Sequence, residues 1–91
     1  MDFRESELGR LLAAAHGYQV LSAEGRSLGV IEHLRYAQHA DHPDELVVRL
    51  RNRLWARRRS LSFAAVRAVD PDLQRVVLRL SAEEANASPQ A

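Results

Sequence analysis

The sequence predicts an all-β domain: a small closed or partly open antiparallel β-barrel of five to six strands with a short N-terminal helix. Three observations lead there. After Gly17 the apolar residues recur at every second position, in short runs separated by turn-forming residues, the pattern of half-buried strands. Before Gly17, Leu8, Leu11, Leu12 and Ala15 stand three and four residues apart, which is one face of a helix. The chain is 91 residues and 10.3 kDa, enough for one modest core and not for a deep cleft between domains. In so small a sheet, closure also removes the unpaired edges.

The elements follow in order. Residues 3 to 15 read as the helix, with Asp2 and Glu5 at capping-box spacing and Ser6 as a competing start. Gly9 inside it costs about 1 kcal/mol relative to alanine, and Gly17 is a plausible stop. A helix this short is marginal alone and must dock on the domain or on another molecule. Tyr18 and Val20 open the first strand, and Ala23 to Arg26 form a turn with Gly25 at a position needing positive φ. In LGVIEHLRY, Leu28, Val30, Leu34 and Tyr36 share one face. Glu32 interrupts that set and Ile31 the opposite one, so the strand bends or carries a bulge. Gly29 permits either, or a close approach of backbone.

Residues 37 to 45 are a polar loop with proline at 43. ELVVRLR then alternates Leu46, Val48 and Leu50 against Val47, Arg49 and Arg51. Beyond a tight connection at Asn52 and Arg53, LWARRR sets Leu54 and Ala56 opposite Trp55. Leu61, Phe63, Val66 and Val69 lead into the turn Asp70-Pro71-Asp72, and RVVLRL sets Val76, Leu78 and Leu80 opposite Val77 and Arg79. The tail SAEEANASPQA is small and polar and is expected to fray. The organisation is therefore a helical segment 1–16, a barrel 17–80 and a flexible tail 81–91. The expected core is Tyr18, Val20, Leu28, Val30, Leu34, Leu46, Val48, Leu50, Val66, Val69, Val76 and Leu78.

The stretch GYQVLSAEGRSLGVIEHLRYA, followed by ELVVRL, LSFAAVRAVD and RVVLRL, resembles the PRC-barrel domain family over roughly residues 17 to 80. Its acidic-Gly turn is Glu24-Gly25, and Leu28-Gly29 with Ile31-Glu32 leads the long second strand. The resemblance implies a small barrel used as an assembly or docking module. Relatives serve in a photosynthetic membrane complex and in ribosome maturation. Neither role carries over, because this chain has no membrane-spanning stretch and no room for a second barrel. The helix at 3 to 15 lies outside the resemblance.

Charge is unevenly placed. Thirteen basic residues, all arginine, against twelve acids give a formal +1. Between Leu46 and Val69, however, lie seven arginines (49, 51, 53, 57, 58, 59 and 67) and no acid. Arg49 and Arg51 share a strand face, as do Arg57 and Arg59 on the next strand, and antiparallel neighbours would bring the pairs together. Trp55 and Arg53 have the parity of Arg57, so the indole offers a stacking surface. The candidate binding surface is therefore Arg49, Arg51, Arg53, Trp55, Arg57, Arg58 and Arg59, suited to phosphates or to an acidic protein. The plainer reading is a solvated or internally paired face, with acids at 24, 32, 41, 44, 45, 70 and 72 available to neutralise it. A second candidate interface is Leu8, Leu11 and Leu12, packed outside the barrel or buried in a dimer.

Other chemistries find little support. Without cysteine there are no disulfides, thiolate zinc sites or cysteine nucleophiles. His39, Asp41, His42 and Asp44 crowd one loop but supply no fixed third ligand, so no metal and no cofactor is expected. The serines lack a nucleophile elbow, and Asp70 and Asp72 bracket a turn where side chains bond to backbone. No enzyme activity is expected. The N-terminus lacks a signal-peptide core, and the longest apolar run, Leu11 to Ala15, is far below the ~20 residues that span a bilayer. A cytoplasmic protein without membrane insertion is expected. The functional reading is a non-enzymatic protein-docking or assembly module, self-association included. The alternative is RNA or other nucleic-acid binding through the arginine-rich strand face, without sequence-specific reading of DNA.

Overall fold

A computed structural model describes residues 3–38, 42–51 and 56–90. Helix α1 (Phe3–Ala13) precedes six strands: β1 (Gln19–Leu21), β2 (Ser27–Arg35), β3 (Glu45–Arg51), β4 (Ala56–Ser62), β5 (Val66–Asp70) and β6 (Arg75–Leu78). A single 3-10 turn, Phe63–Ala65, joins β4 to β5, and a short helix α2 (Ala82–Asn86) follows β6. The sheet order is β4-β3-β2-β1-β6-β5. Every neighbouring pair is antiparallel except β1 and β6, which run parallel. β4 and β5 end the sheet, so the barrel is partly open.

The irregularity expected in β2 is present. Ile31 stands opposite Val48 and His33 opposite Val47, leaving Glu32 as an extra residue. A second irregularity lies against β1, where Val20 opposes Gly29 and Leu21 opposes Ser27, leaving Leu28 extra. Together they shift the side-chain alternation: Leu28 and Ile31 are buried in the core and Val30 is only half-buried, against the simple period-two expectation. At Gly29 a Cβ would collide with the Arg49 carbonyl, so this strand position needs glycine for close backbone approach. Gly25, at φ +85°, takes the left-handed turn conformation. Asp70 accepts hydrogen bonds from the Asp72 and Leu73 amides at 3.0 and 3.1 Å, as its turn position anticipates.

Val20, Leu28, Leu46, Val48, Leu50, Val66, Val76 and Leu78 are buried as expected, while Tyr18, Leu34 and Val69 pack against them half-buried. Leu61 joins them, and Val47 is buried although its parity sets it with Arg49 and Arg51.

Two expectations are corrected. Leu12 is 0% exposed within this single chain and belongs to the core with Ala15, rather than lying outside the barrel or in a dimer. The helix comes in close because Gly9 sits against His42, where a Cβ would collide with the histidine's own Cβ. Gly9 thus trades intrinsic helix stability for tight packing. Leu8 and Leu11 are half-buried. The second correction concerns 81–91, which contains α2 where fraying is expected. Ser81 accepts from the Glu84 amide at 3.1 Å and the Glu84 carboxylate accepts from the Ser81 amide at 3.0 Å, a complete capping box. Ala85 is 0% exposed in the core.

Candidate functional site

Strand register decides where the arginines go. Arg51 opposes Ala56, Arg49 opposes Arg58, Leu50 opposes Arg57 and Val48 opposes Arg59. Directly paired residues project to the same side of a sheet. Arg49, Arg51 and Arg58 therefore share the outer face, while Arg57 and Arg59 fall on the side of Leu50 and Val48. This corrects the expectation that the pair 49/51 and the pair 57/59 adjoin: odd-numbered positions of β3 stand across from even-numbered ones of β4.

The environments of the three consecutive arginines differ accordingly. Arg59, flanked on its parity by Leu61, is 9% exposed and its Nε has no hydrogen-bond partner. It is not part of an exposed patch. Arg58 is 61% exposed, and its Nε donates to Glu32 Oε2 at 2.7 Å. That hydrogen bond, opposed by desolvation and aided by smaller Coulombic contributions from Arg58, His33 and Arg49, holds Glu32 below the usual carboxylate range. The acid comes from the β2 bulge, so one irregular residue neutralises part of the basic stripe. Arg49, Arg51 and Arg57 are exposed. Arg53 and Trp55 lie outside the described residues.

Beside β4 runs a groove of about 610 Å³, lined in part by Arg35, Asp44, Glu45, Ser60, Ser62 and the tail residues Pro89 and Gln90. Asp44 Oδ2 accepts from the amides of Ala37 and Gln38 at 2.7 and 2.9 Å, and the Ser60 hydroxyl donates to Glu45. The tail reaches the groove by lying along β4: the Ser60 amide donates to the Pro89 carbonyl at 2.8 Å, and Arg59 and Gln90 form an antiparallel bridge. Alternation along the chain carries no signal for this contact, which is tertiary. A second depression, about 450 Å³, places Arg51 near the exposed Leu73.

The histidine-rich loop resolves in part. His42 stacks on Phe63, with ring centroids 4.4 Å apart, and its Nδ1 lies 3.0 Å from the Pro43 carbonyl, a packing role beneath α1. His39 and Asp41 lie outside the described residues. Among the described residues no three His, Asp or Glu side chains cluster as a metal site would require, and no helix is long and apolar enough to cross a membrane.

No family model matches the chain, and no curated protein matches it. Among solved structures the fold is similar to the putative 16S ribosomal RNA processing protein RimM of Pseudomonas aeruginosa, with a TM-score of 0.59 and 25% identity. The likeness covers 76% of this chain and 42% of that one, so the chain spans less than half of RimM's length. RimM has a PRC-barrel domain, and the fold described above is PRC-barrel-like.

Proposed function

We propose that the chain is a non-enzymatic docking module that binds a protein partner through the outer face of β2, β3 and β4. The observation that carries this reading is the mixing of charge signs there. Glu32 lies against Arg58, and Asp44 and Glu45 share the groove with Arg35. A nucleic acid backbone favours a stripe of uniform positive potential, which these carboxylates interrupt. A protein surface presents both signs and gains specificity by matching them.

The test is capture of partners by the intact protein from extracts of its own cells, with and without nuclease. A protein retained after nuclease and lost with Arg49→Glu plus Arg51→Glu supports the reading. Capture abolished by nuclease overturns it.

Association with RNA is the second reading, favoured by the likeness to a putative ribosomal RNA processing protein and by the exposed Arg49, Arg51 and Arg57. It requires RNA binding at low salt that weakens steeply as salt rises. Absence of binding at low salt removes it.

A further inference from the structure

We propose that the outer edge of β4 accepts an acidic extended peptide of a partner protein as an additional strand, and that Pro89 and Gln90 occupy this edge as a replaceable stand-in. The proposal rests on the docking reading and names the partner's chemistry.

β4 ends the sheet, and an end strand offers its outward amides and carbonyls to another chain. Among the described residues, only Pro89 and Gln90 pair with that side, through one hydrogen bond from Ser60 and one bridge at Arg59. Proline has no amide to donate, so the tail makes a poor strand. Its chemistry is also incomplete. Gln90 is the residue opposite Arg59, and a neutral amide there leaves a buried guanidinium whose Nε has no partner. A buried N–H without an acceptor is costly, and on a guanidinium it gains most from a carboxylate.

The arginine pattern selects the occupant. Arg57, Arg58 and Arg59 are consecutive on the edge strand. A second copy's β4 would set arginines against arginines, and like charges directly opposite are destabilising, which disfavours self-pairing here. Arg58 is already matched by Glu32. Arg57 and Arg59 lie two residues apart on the other parity, so an incoming strand with acids at alternate positions supplies a carboxylate to each. The groove beside Ser60 and Pro89 leaves room for the flank of such a peptide.

The probe is a fluorescein-labelled octapeptide alternating glutamate with valine, read by anisotropy against the full chain, with a glutamine-for-glutamate peptide as control. The glutamate peptide binds and the glutamine peptide does not. Deleting residues 89–91 tightens binding. Gln90→Glu, which places a carboxylate opposite Arg59 within the chain, weakens it. Arg59→Met, close in volume and uncharged, weakens it about tenfold, the effect of one lost charge-assisted hydrogen bond. Bound peptide slows amide exchange in β4 and not in β5. Equal binding of both peptides, no binding to the tail-deleted chain, or protection confined to β5 each overturns the proposal. If these fail while nuclease-resistant capture remains sensitive to Arg49→Glu plus Arg51→Glu, the docking reading stands and the edge assignment alone falls.

Discussion

At the β5 edge of the sheet, α1 lies close by and contributes Leu12 to the core, with Ala15 just beyond its end; both are fully buried. At the β4 edge the neighbours are α2, whose Ala85 is fully buried in the core, and Pro89 and Gln90, which attach to the strand's outer side by one backbone hydrogen bond and one bridge. Burying a leucine side chain contributes about 1.5–3 kcal/mol, and a single hydrogen bond nets only about 0.5–1.5 kcal/mol. Both ends of the barrel carry hydrophobic packing from a helix, but the residues that follow α2 onto the β4 edge are lightly attached. A helix residue buried in the core is therefore held more firmly than the terminal residues laid on the β4 edge.

The contrast breaks first, if it is wrong, at Leu12. Leu12→Ala is expected to destabilise the chain by about 2–5 kcal/mol in urea unfolding, through lost burial and a residual cavity. Gly9→Ala should follow. The helix gains about 1 kcal/mol in propensity, but the new methyl overpacks the contact with His42, which costs about 1–3 kcal/mol, so a modest net loss is expected. Ser81→Ala removes the capping box of α2 and is expected to cost about 1 kcal/mol. Removing residues 89–91 should cost less than about 1 kcal/mol, the worth of one exposed hydrogen bond. If tail removal matched Leu12→Ala, the helix residue and the tail would be equally held and the contrast would fail.

The smallest effect is acidic. Glu32 is held below the usual carboxylate range by the hydrogen bond from Arg58, and Glu84 by the Ser81 backbone amide. A depressed folded-state value means that the charged form stabilises the native chain. That contribution is complete above the ordinary glutamate range and is lost as pH falls through the lower folded values. Glu32→Gln and Glu84→Gln should each flatten the fall in stability below about pH 4.5. Glu84 is exposed and half-buried Glu32 pairs with an exposed Arg58, so each change should be slight.

Local chemistry explains which parts of this structure were legible in the sequence. The clash of Ile31 and Glu32 with the alternation marked the β2 bulge, Gly25 marked a left-handed turn, and Asp70-Pro71-Asp72 marked a reverse turn. Each is set by residues within a few positions. The division of the arginines between two faces was not legible, because parity within β3 and β4 is fixed by each strand while their relative parity depends on register. Burial of Leu12 depends on how closely α1 approaches, and Gly9, read as a helix penalty, was the residue that permits it. Ser81 and Glu84 had capping spacing in plain view, yet the alanines beside them gave no apolar stripe to suggest a docked helix. The candidate site was legible as a cluster of arginines but not as a surface.

The parallel pairing of β1 with β6 has a kinetic consequence. β2, β3 and β4 are each paired with neighbours in sequence, as are β5 and β6, so both groups can form early from local contacts. They are joined by three residues, Gln19 to Leu21, which pair with Arg75 to Val77 across nearly the whole chain. Closing that distance consumes chain entropy before any contact repays it. The pairing of the shortest strand with β6, centred on Val20 and Val76, is therefore expected to form late in folding.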